Sequence, residues 1–459
     1  MNKKIKIALA AILAVCSLLG LNGCSENQEQ ISGVTDGVKP LDSDDDDGRS
    51  NAENPNVSNS DKENSSNAGS SENAAEVIKT QYAPIKLSDN NTVNSIRLFD
   101  LMTADKDNAM FSPVSLNMAL GLIEAGAEGE TKAVLDSYLQ TPNFPDLAEN
   151  YLKFVKENRN LEERIYSEYE KIPGSYLEIA NSIWADNTLP LKDEYKQTTA
   201  KKFGAEIENL DFAQKESVLK KINGWVNDKT HKMIPSVLSD YDDNTAAVLV
   251  NTVYFESAWP SHWRVREDMP ESFTLPDGTT KELPLMYKSG DSYFENDKAA
   301  AFSCRYMNGL DFIGILPKET GEFTLESLDI PSLLKSETWE YDVDAVMPRL
   351  NFETELPLSE ALAAAGLENI FDENKADFSG ISDVNLWISE VIQKTKLELD
   401  KNGTKAAAVT VIEVPAGMMP TSETEPNERK TVRLDRPFAF LIYDSAEDQI
   451  LFLGKVTDP

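Results

Sequence analysis

Histidine is almost missing from this chain: His231 and His262 are the only two among 459 residues. Neither has a partner at metal-ligand spacing, so the sequence offers no histidine-based metal centre. Also lacking are a G-x-S-x-G nucleophile elbow and a glycine-rich phosphate loop, which removes the commonest hydrolase and nucleotide-binding templates. Positive charge is short: 44 Lys and Arg stand against 78 Asp and Glu, a formal net charge of −34. That balance lacks the basic footprint of nucleic-acid binding and suits a protein dissolved outside a cell. The three cysteines, Cys16, Cys24 and Cys304, imply no disulfide framework. Cys304 sits in Ala-Phe-Ser-Cys-Arg-Tyr, which alternates like a strand, and reads as a buried, inert thiol. No internal repeat is visible. The apolar run Ile7–Leu21 falls short of the ~20 residues needed to span a bilayer.

What is present begins with that run. Lys3, Lys4 and Lys6 precede it, as in an export signal. It ends in Leu21-Asn22-Gly23-Cys24, which resembles the lipobox of bacterial lipoproteins. The resemblance implies a signal peptide over 1–23, cleavage before Cys24, a lipid on its sulfur, and a place on the outer face of a bacterial membrane. Residues 24–80 are dominated by Asn, Ser, Asp and Glu, with acidic residues at Asp42 and 44–47. Such a segment buries too little apolar surface to offset its ordering entropy, so a disordered tether is expected. Its ~55 residues would span roughly 40 Å, and more through charge repulsion.

From 81 to 459 the chain reads as one folded unit with a sizeable core, since 41% of the whole sequence is hydrophobic. Apolar residues three and four apart predict helices over 94–102 and 114–123. Strands are predicted over 246–255, 312–316, 386–399, 438–443 and 450–456. Helices early and strands late point to an α+β fold. The segment 403–414 is unusual. As a strand, Thr404, Ala406, Ala408, Thr410, Ile412 and Val414 share an uncharged face, while Lys405 and Glu413 fall on the other. Yet it leads into residues 415–430, rich in Pro, Glu, Thr, Ser and Asn, which read as an exposed loop. On pattern alone, a hairpin strand or a short helix around 406–408 fits equally.

These residues resemble the hinge of the serpin family. Asp400-Lys401-Asn402-Gly403-Thr404-Lys405-Ala406-Ala407-Ala408-Val409-Thr410 is similar to the family's Glu-Glu-Gly-Thr-Glu-Ala-Ala-Ala-Ala-Thr. Further matches follow the family order: Asn108-Ala109-Met110-Phe111-Ser112-Pro113, Phe203-Gly204-Ala205-Glu206, Leu249-Val250-Asn251-Thr252-Val253-Tyr254-Phe255 with Trp259, and Ala376-Asp377-Phe378-Ser379-Gly380. The resemblance implies the serpin fold, three β-sheets with about nine helices and an exposed reactive loop. It implies a suicide inhibitor of serine proteases, with cysteine proteases as a further class of partner. A protease cleaves the loop and forms an acyl-enzyme, and the loop then enters the large sheet as a new strand.

The hinge residues are then Gly403, Thr404, Ala406, Ala407, Ala408 and Thr410, small enough to pass between strands. Ser112, Ser115, Asn251, Gln393 and Trp259 match the family's latch on sheet opening, Gln393 standing where relatives often have His. An amide donates and accepts at once, so such a latch works without a titratable group. Lys401 opposite Arg349 replaces an acid–base pair of many relatives, and like charges there are expected to be mildly destabilising. Spacing from Gly403 puts the scissile bond at Gly417–Met418, in a window from Ala416 to Met419; the long loop leaves the bond open as far as about residue 426. No Lys or Arg occurs between Lys405 and Arg429, which favours elastase- or subtilisin-like targets. No catalytic residue, metal or cofactor is implied, the partner is a covalently trapped protease, and a monomer is expected. The alternatives are a non-inhibitory, binding or chaperone-like serpin and, outside the family, a solute-binding lipoprotein.

Overall fold

Thr245–Ala258 is a strand buried on both faces, and its run Ala-Ala-Val-Leu-Val is the apolar continuity that such burial demands. It is the middle of the largest sheet in a computed structural model that describes residues 5–15, 89–140, 143–167, 170–404 and 427–459. The expected tether, Cys24, the hinge residues Ala406, Ala407, Ala408 and Thr410, and the bait window from Ala416 to Met419 lie outside the described residues.

This first sheet has seven strands. From one edge come β12 (Leu350–Pro357) and β13 (Leu386–Asp400), then β1 (Ile5–Val15) and β14 (Gly403–Thr404) in a single column, then β5 (Thr245–Ala258), β3 (Tyr176–Asp186) and β4 (Glu206–Leu210). A second sheet has six strands in the order β8 (Ser292–Glu295), β9 (Ala299–Arg305), β10 (Asp311–Pro317), β16 (Phe438–Asp444), β17 (Gln449–Val456) and β2 (Asn108–Phe111). The third has four: β15 (Arg429–Arg433), β11 (Asp342–Pro348), β7 (Leu285–Gly290) and β6 (Arg264–Val265). Three large sheets with helices around them bear out the α+β expectation. The predicted strands correspond to β5, β10, β13, β16 and β17, and the predicted helices to α1 (Asp89–Thr103) and α2 (Pro113–Glu124).

Two helices position the site. In α2 every residue is buried, as an apolar helix inside a large core must be. It touches both β5 and β17, so it lies between the first two sheets. Its start is sharply defined: Ser112 caps it by accepting a hydrogen bond from the Ser115 N–H, and Pro113 opens the first turn. On the other side of the first sheet lies α5 (Lys215–Lys229), named after α3 (Phe144–Asn158) and α4 (Asp193–Phe203). Val218, Ile222 and Val226, four residues apart, form one stripe of α5 packed with Trp184 of β3 and Val248, Val250 and Tyr254 of β5. Fully burying each such side chain contributes about 1.5–3 kcal/mol.

Cys304, on β9, is free and fully buried. Desolvation, with Asp291 nearby, pushes its thiol well above the ordinary range, so it is inert as expected.

Candidate functional site

The first sheet is divided along its middle. β5 and β13 run in the same direction, yet along most of their length each pairs with β1 rather than with the other. Leu9 stands beside both Val391 and Leu249, and Ala11 beside both Gln393 and Asn251. Both ladders are parallel. The gap is therefore one strand wide and long enough for eleven residues. At its lower end it meets a cavity of about 690 Å³, lined by Tyr241, Thr245, Pro357, Trp387 and Glu390 among others. Residues 5–15 belong to the segment whose sequence reads as an export signal.

At the upper end the same gap holds β14, the first two hinge residues, in the opposite direction. Gly403 pairs with Asp400 and Ala258, and Thr404 with Leu399 and Ser257, all antiparallel. Gly403 has φ +150, and a Cβ there would strike the Ser257 carbonyl and come 2.7 Å from the Ala258 Cα. Only glycine fits so close to a neighbouring backbone.

The turn before the hinge is fixed from both sides. Asp400 accepts from the Asn402 N–H at 2.7 Å and from its side-chain amide at 3.1 Å. The three carbonyls of Asp400, Lys401 and Asn402 are all taken: the Trp259 indole donates to Asp400 (3.0 Å), the Trp263 N–H to Lys401 (3.0 Å) and the Trp259 N–H to Asn402 (2.9 Å). Trp259 stacks on Tyr306, with ring centroids 4.0 Å apart and planes at 14°. The Tyr306 hydroxyl meets the buried Thr404 hydroxyl at 2.7 Å. Burial raises the Tyr306 phenol above its usual range, so it stays neutral as a partner.

Lower down, Ser112, Ser115, Asn251 and Gln393 come together as the sequence suggested, with a wiring it did not give. The fully buried Gln393 amide accepts from the Ser112 N–H (2.8 Å) and donates to the Ser112 carbonyl (3.1 Å). The Ser115 hydroxyl donates to Asn251, whose amide donates to Asn181 (2.8 Å), which donates to the Phe203 carbonyl at the end of α4 (2.8 Å). So β13 and β5 are each bonded to the start of α2 at one level of the sheet, Ala11 being the register partner of both Gln393 and Asn251. Trp259 is not part of this group; it stands at the hinge turn. Arg349 is engaged by Glu267, which offsets the repulsion expected between it and Lys401.

Sequence reasoning missed Tyr306, Trp263 and Asn181 as site residues. The spacing Trp259-Pro-Ser-His-Trp263 carried a signal, since two tryptophans four apart near a predicted strand end need a shared purpose. Tyr306 carried none, because its contact with Thr404 spans 98 residues.

A family model described as Serpin (serine protease inhibitor) matches residues 89–459. The chain belongs to the serpin family. It is 30% identical over 379 residues to an uncharacterized serpin-like protein of Methanosarcina acetivorans, covering 79% of this chain and 84% of the relative. It is 31% identical over 394 residues to leukocyte elastase inhibitor A of Mus musculus, covering 82% of this serpin and all of that protein. Among solved structures, the thermophilic serpin tengpin in its native state superposes with a TM-score of 0.68 at 30% identity, over 82% of this chain and 96% of tengpin. Thyroxine-binding globulin complexed with thyroxine shares the fold, with a TM-score of 0.63 at 23% identity over 81% of this chain and all of that one. Serpins are typically inhibitors of proteases and not catalysts, though the fold also serves binding proteins.

Proposed function

We propose that this serpin is an inhibitory one, anchored outside the cell through a lipid on Cys24, that traps serine proteases with elastase- or subtilisin-like preference. The observation that carries the reading is β14. Gly403 and Thr404 are already seated in the mouth of the gap, bonded to both flanking strands and aimed along it. A segment tethered at Thr404 continues into the gap by adding ladder bonds in sequence, with Ala406, Ala407, Ala408 and Thr410 next to enter. Each ladder bond contributes about 0.5–1.5 kcal/mol, so insertion of a dozen residues is strongly downhill. Cleavage within 416–426 frees the segment, and its insertion carries the acylated protease with it. The relative named as an elastase inhibitor supports the apolar target class. The lipobox-like Leu21-Asn22-Gly23-Cys24 supports the anchor.

The test is to mix the exported protein with elastase-like and subtilisin-like proteases and look for a covalent complex that survives SDS. The wild type is expected to form one with at least one protease, and the mass of the released C-terminal peptide names the scissile bond. Thr404→Arg places a charged, bulky side chain at a fully buried position, and is expected to convert the inhibitor into a substrate that is cleaved without complex. Cleavage alone, by every protease tried, would return the reading to a non-inhibitory serpin. For the anchor, Cys24→Ser is expected to release the protein from membranes and abolish fatty-acid labelling.

A further inference from the structure

Among the described residues, large apolar side chains are rarely left in water. The exception with the greatest exposure is Trp339, at 68%, ahead of Leu101 at 59% and Met269 at 56%. Trp339 lies between α6 (Ile330–Lys335) and β11. Its backbone is held on both sides. Thr338 exchanges two 2.9 Å hydrogen bonds with Tyr293, and the Asp342 N–H donates to the Glu428 carbonyl at 3.0 Å. The nearby aromatics are used internally. Tyr341 packs edge-on against Tyr293 at 5.4 Å, and the Lys430 ammonium covers Tyr341 at 4.6 Å. The Trp339 indole has no ring contact or hydrogen bond among the described residues. It is presented outward from a fixed backbone, so covering it would cost little ordering entropy.

Its place gives the exposure a meaning. Glu428 and Arg429 are where the reactive loop returns to the fold, and Asp342 pairs with Arg429 in the third sheet. Three residues of extended chain separate Trp339 from Asp342, at most ~10 Å. A protein partner of ordinary size covers ~800 Å², a patch of roughly 16 Å radius. A protease that engages the loop close to Glu428 covers this ground. We propose that Trp339 is a second point of contact for the target protease, on the side of the loop that follows the scissile bond. The proposal rests on the inhibitor reading for the identity of the partner. Exposed tryptophans fixed on a rigid backbone are what dominate such contacts once water is excluded. The charges around it are mixed in sign, Glu428 pairing with Lys430 and Asp344 with Arg429, so the contact is apolar rather than electrostatically steered.

The experiment measures how fast the intact exported protein is consumed by the protease, as complex and cleaved product together. This rate reports docking and does not depend on how the acyl-enzyme partitions afterwards, so it remains readable even where no complex forms. Trp339→Ala is expected to slow consumption by at least about tenfold, to leave the ratio of complex to cleaved product unchanged, and to keep the same difference in high salt. Trp339→Phe is expected to recover most of the rate. Because the side chain is exposed, the thermal midpoint of Trp339→Ala should match wild type, which separates lost contact from lost folding. A consumption rate within twofold of wild type, with every protease that cleaves the loop, overturns the proposal. Absence of any SDS-stable complex from the wild type sinks the inhibitor reading instead.

Discussion

Gln393 fills the place where a titratable histidine is often found in relatives, and it uses both ends of its amide on one residue, Ser112. Replacing it with Ala leaves the buried Ser112 N–H without a partner, which costs about 1–3 kcal/mol, and leaves the Ser112 carbonyl with the Leu116 N–H alone. Gln393→Ala should therefore lower the urea midpoint clearly at every pH. Gln393→Glu gives a sharper outcome. A carboxylate accepts from the Ser112 N–H but cannot donate to the Ser112 carbonyl, whereas a protonated carboxyl does both. Burial raises the folded-state pKa of that Glu above its unfolded value of about 4.3, so its stabilising effect is present in acid and lost as pH rises through the folded value. Urea melts from pH 4 to 8 should show the variant near wild type at the acid end only. A variant equally unstable at both ends would mean the donor bond is unimportant. The sequence disclosed that an amide could serve here. It could not disclose that both bonds go to the backbone of one residue, since that depends on how Ser112 caps α2.

At the scale of elements, most of the architecture was legible because periodicity and burial coincide. β5 and α2 are mostly apolar and buried almost throughout, and β16 and β17 read as strands for the same reason. Long-range pairings were not legible. One of them ties the end of α3 to the end of β16: Arg159 grips Asp444 with two hydrogen bonds, at 2.6 and 2.9 Å, and both side chains are almost wholly buried. They are 285 residues apart, and nothing local in Asn158-Arg159 or Asp444-Ser445 announces it. Asp444→Asn leaves the guanidinium buried without its counter-charge, an effect worth about 3–5 kcal/mol. The double variant Arg159→Met, Asp444→Leu removes both charges and should regain most of that loss. Thermal melts of the single and double variants check this, and simple additivity of the two single losses would contradict it. Trp259 illustrates the same limit: its motif was readable, but its duty at the hinge turn rather than at Ser112 is set by the path of Asp400–Asn402.

At the scale of the whole molecule, β1 occupies the column that β14 opens. β1 fills the gap that the segment after Thr404 would enter, so a chain that keeps residues 1–23 has its trap already occupied. On the inhibitor reading, the form starting at residue 24, with Cys24→Ser, is expected to inhibit, while the form retaining residues 1–23 should melt at a higher temperature and be cleaved without complex. Equal inhibition by the two would show that β1 leaves as easily as the loop enters. With β1 in place, the bonds of Gln393 to Ser112 and of Ser115 to Asn251 are both intact. A strand between β13 and β5 is therefore compatible with both bonds.

The gap accepts β1 running one way and β14 running the other, between the same two strands. It is a slot without polarity: it reads peptide backbone and spacing, and does not by itself tell one end of a segment from the other. Direction has to come from elsewhere, and the two residues of β14 supply it. They act as a primer. Once Gly403 and Thr404 are paired, register and orientation of everything that follows are decided before the first alanine arrives.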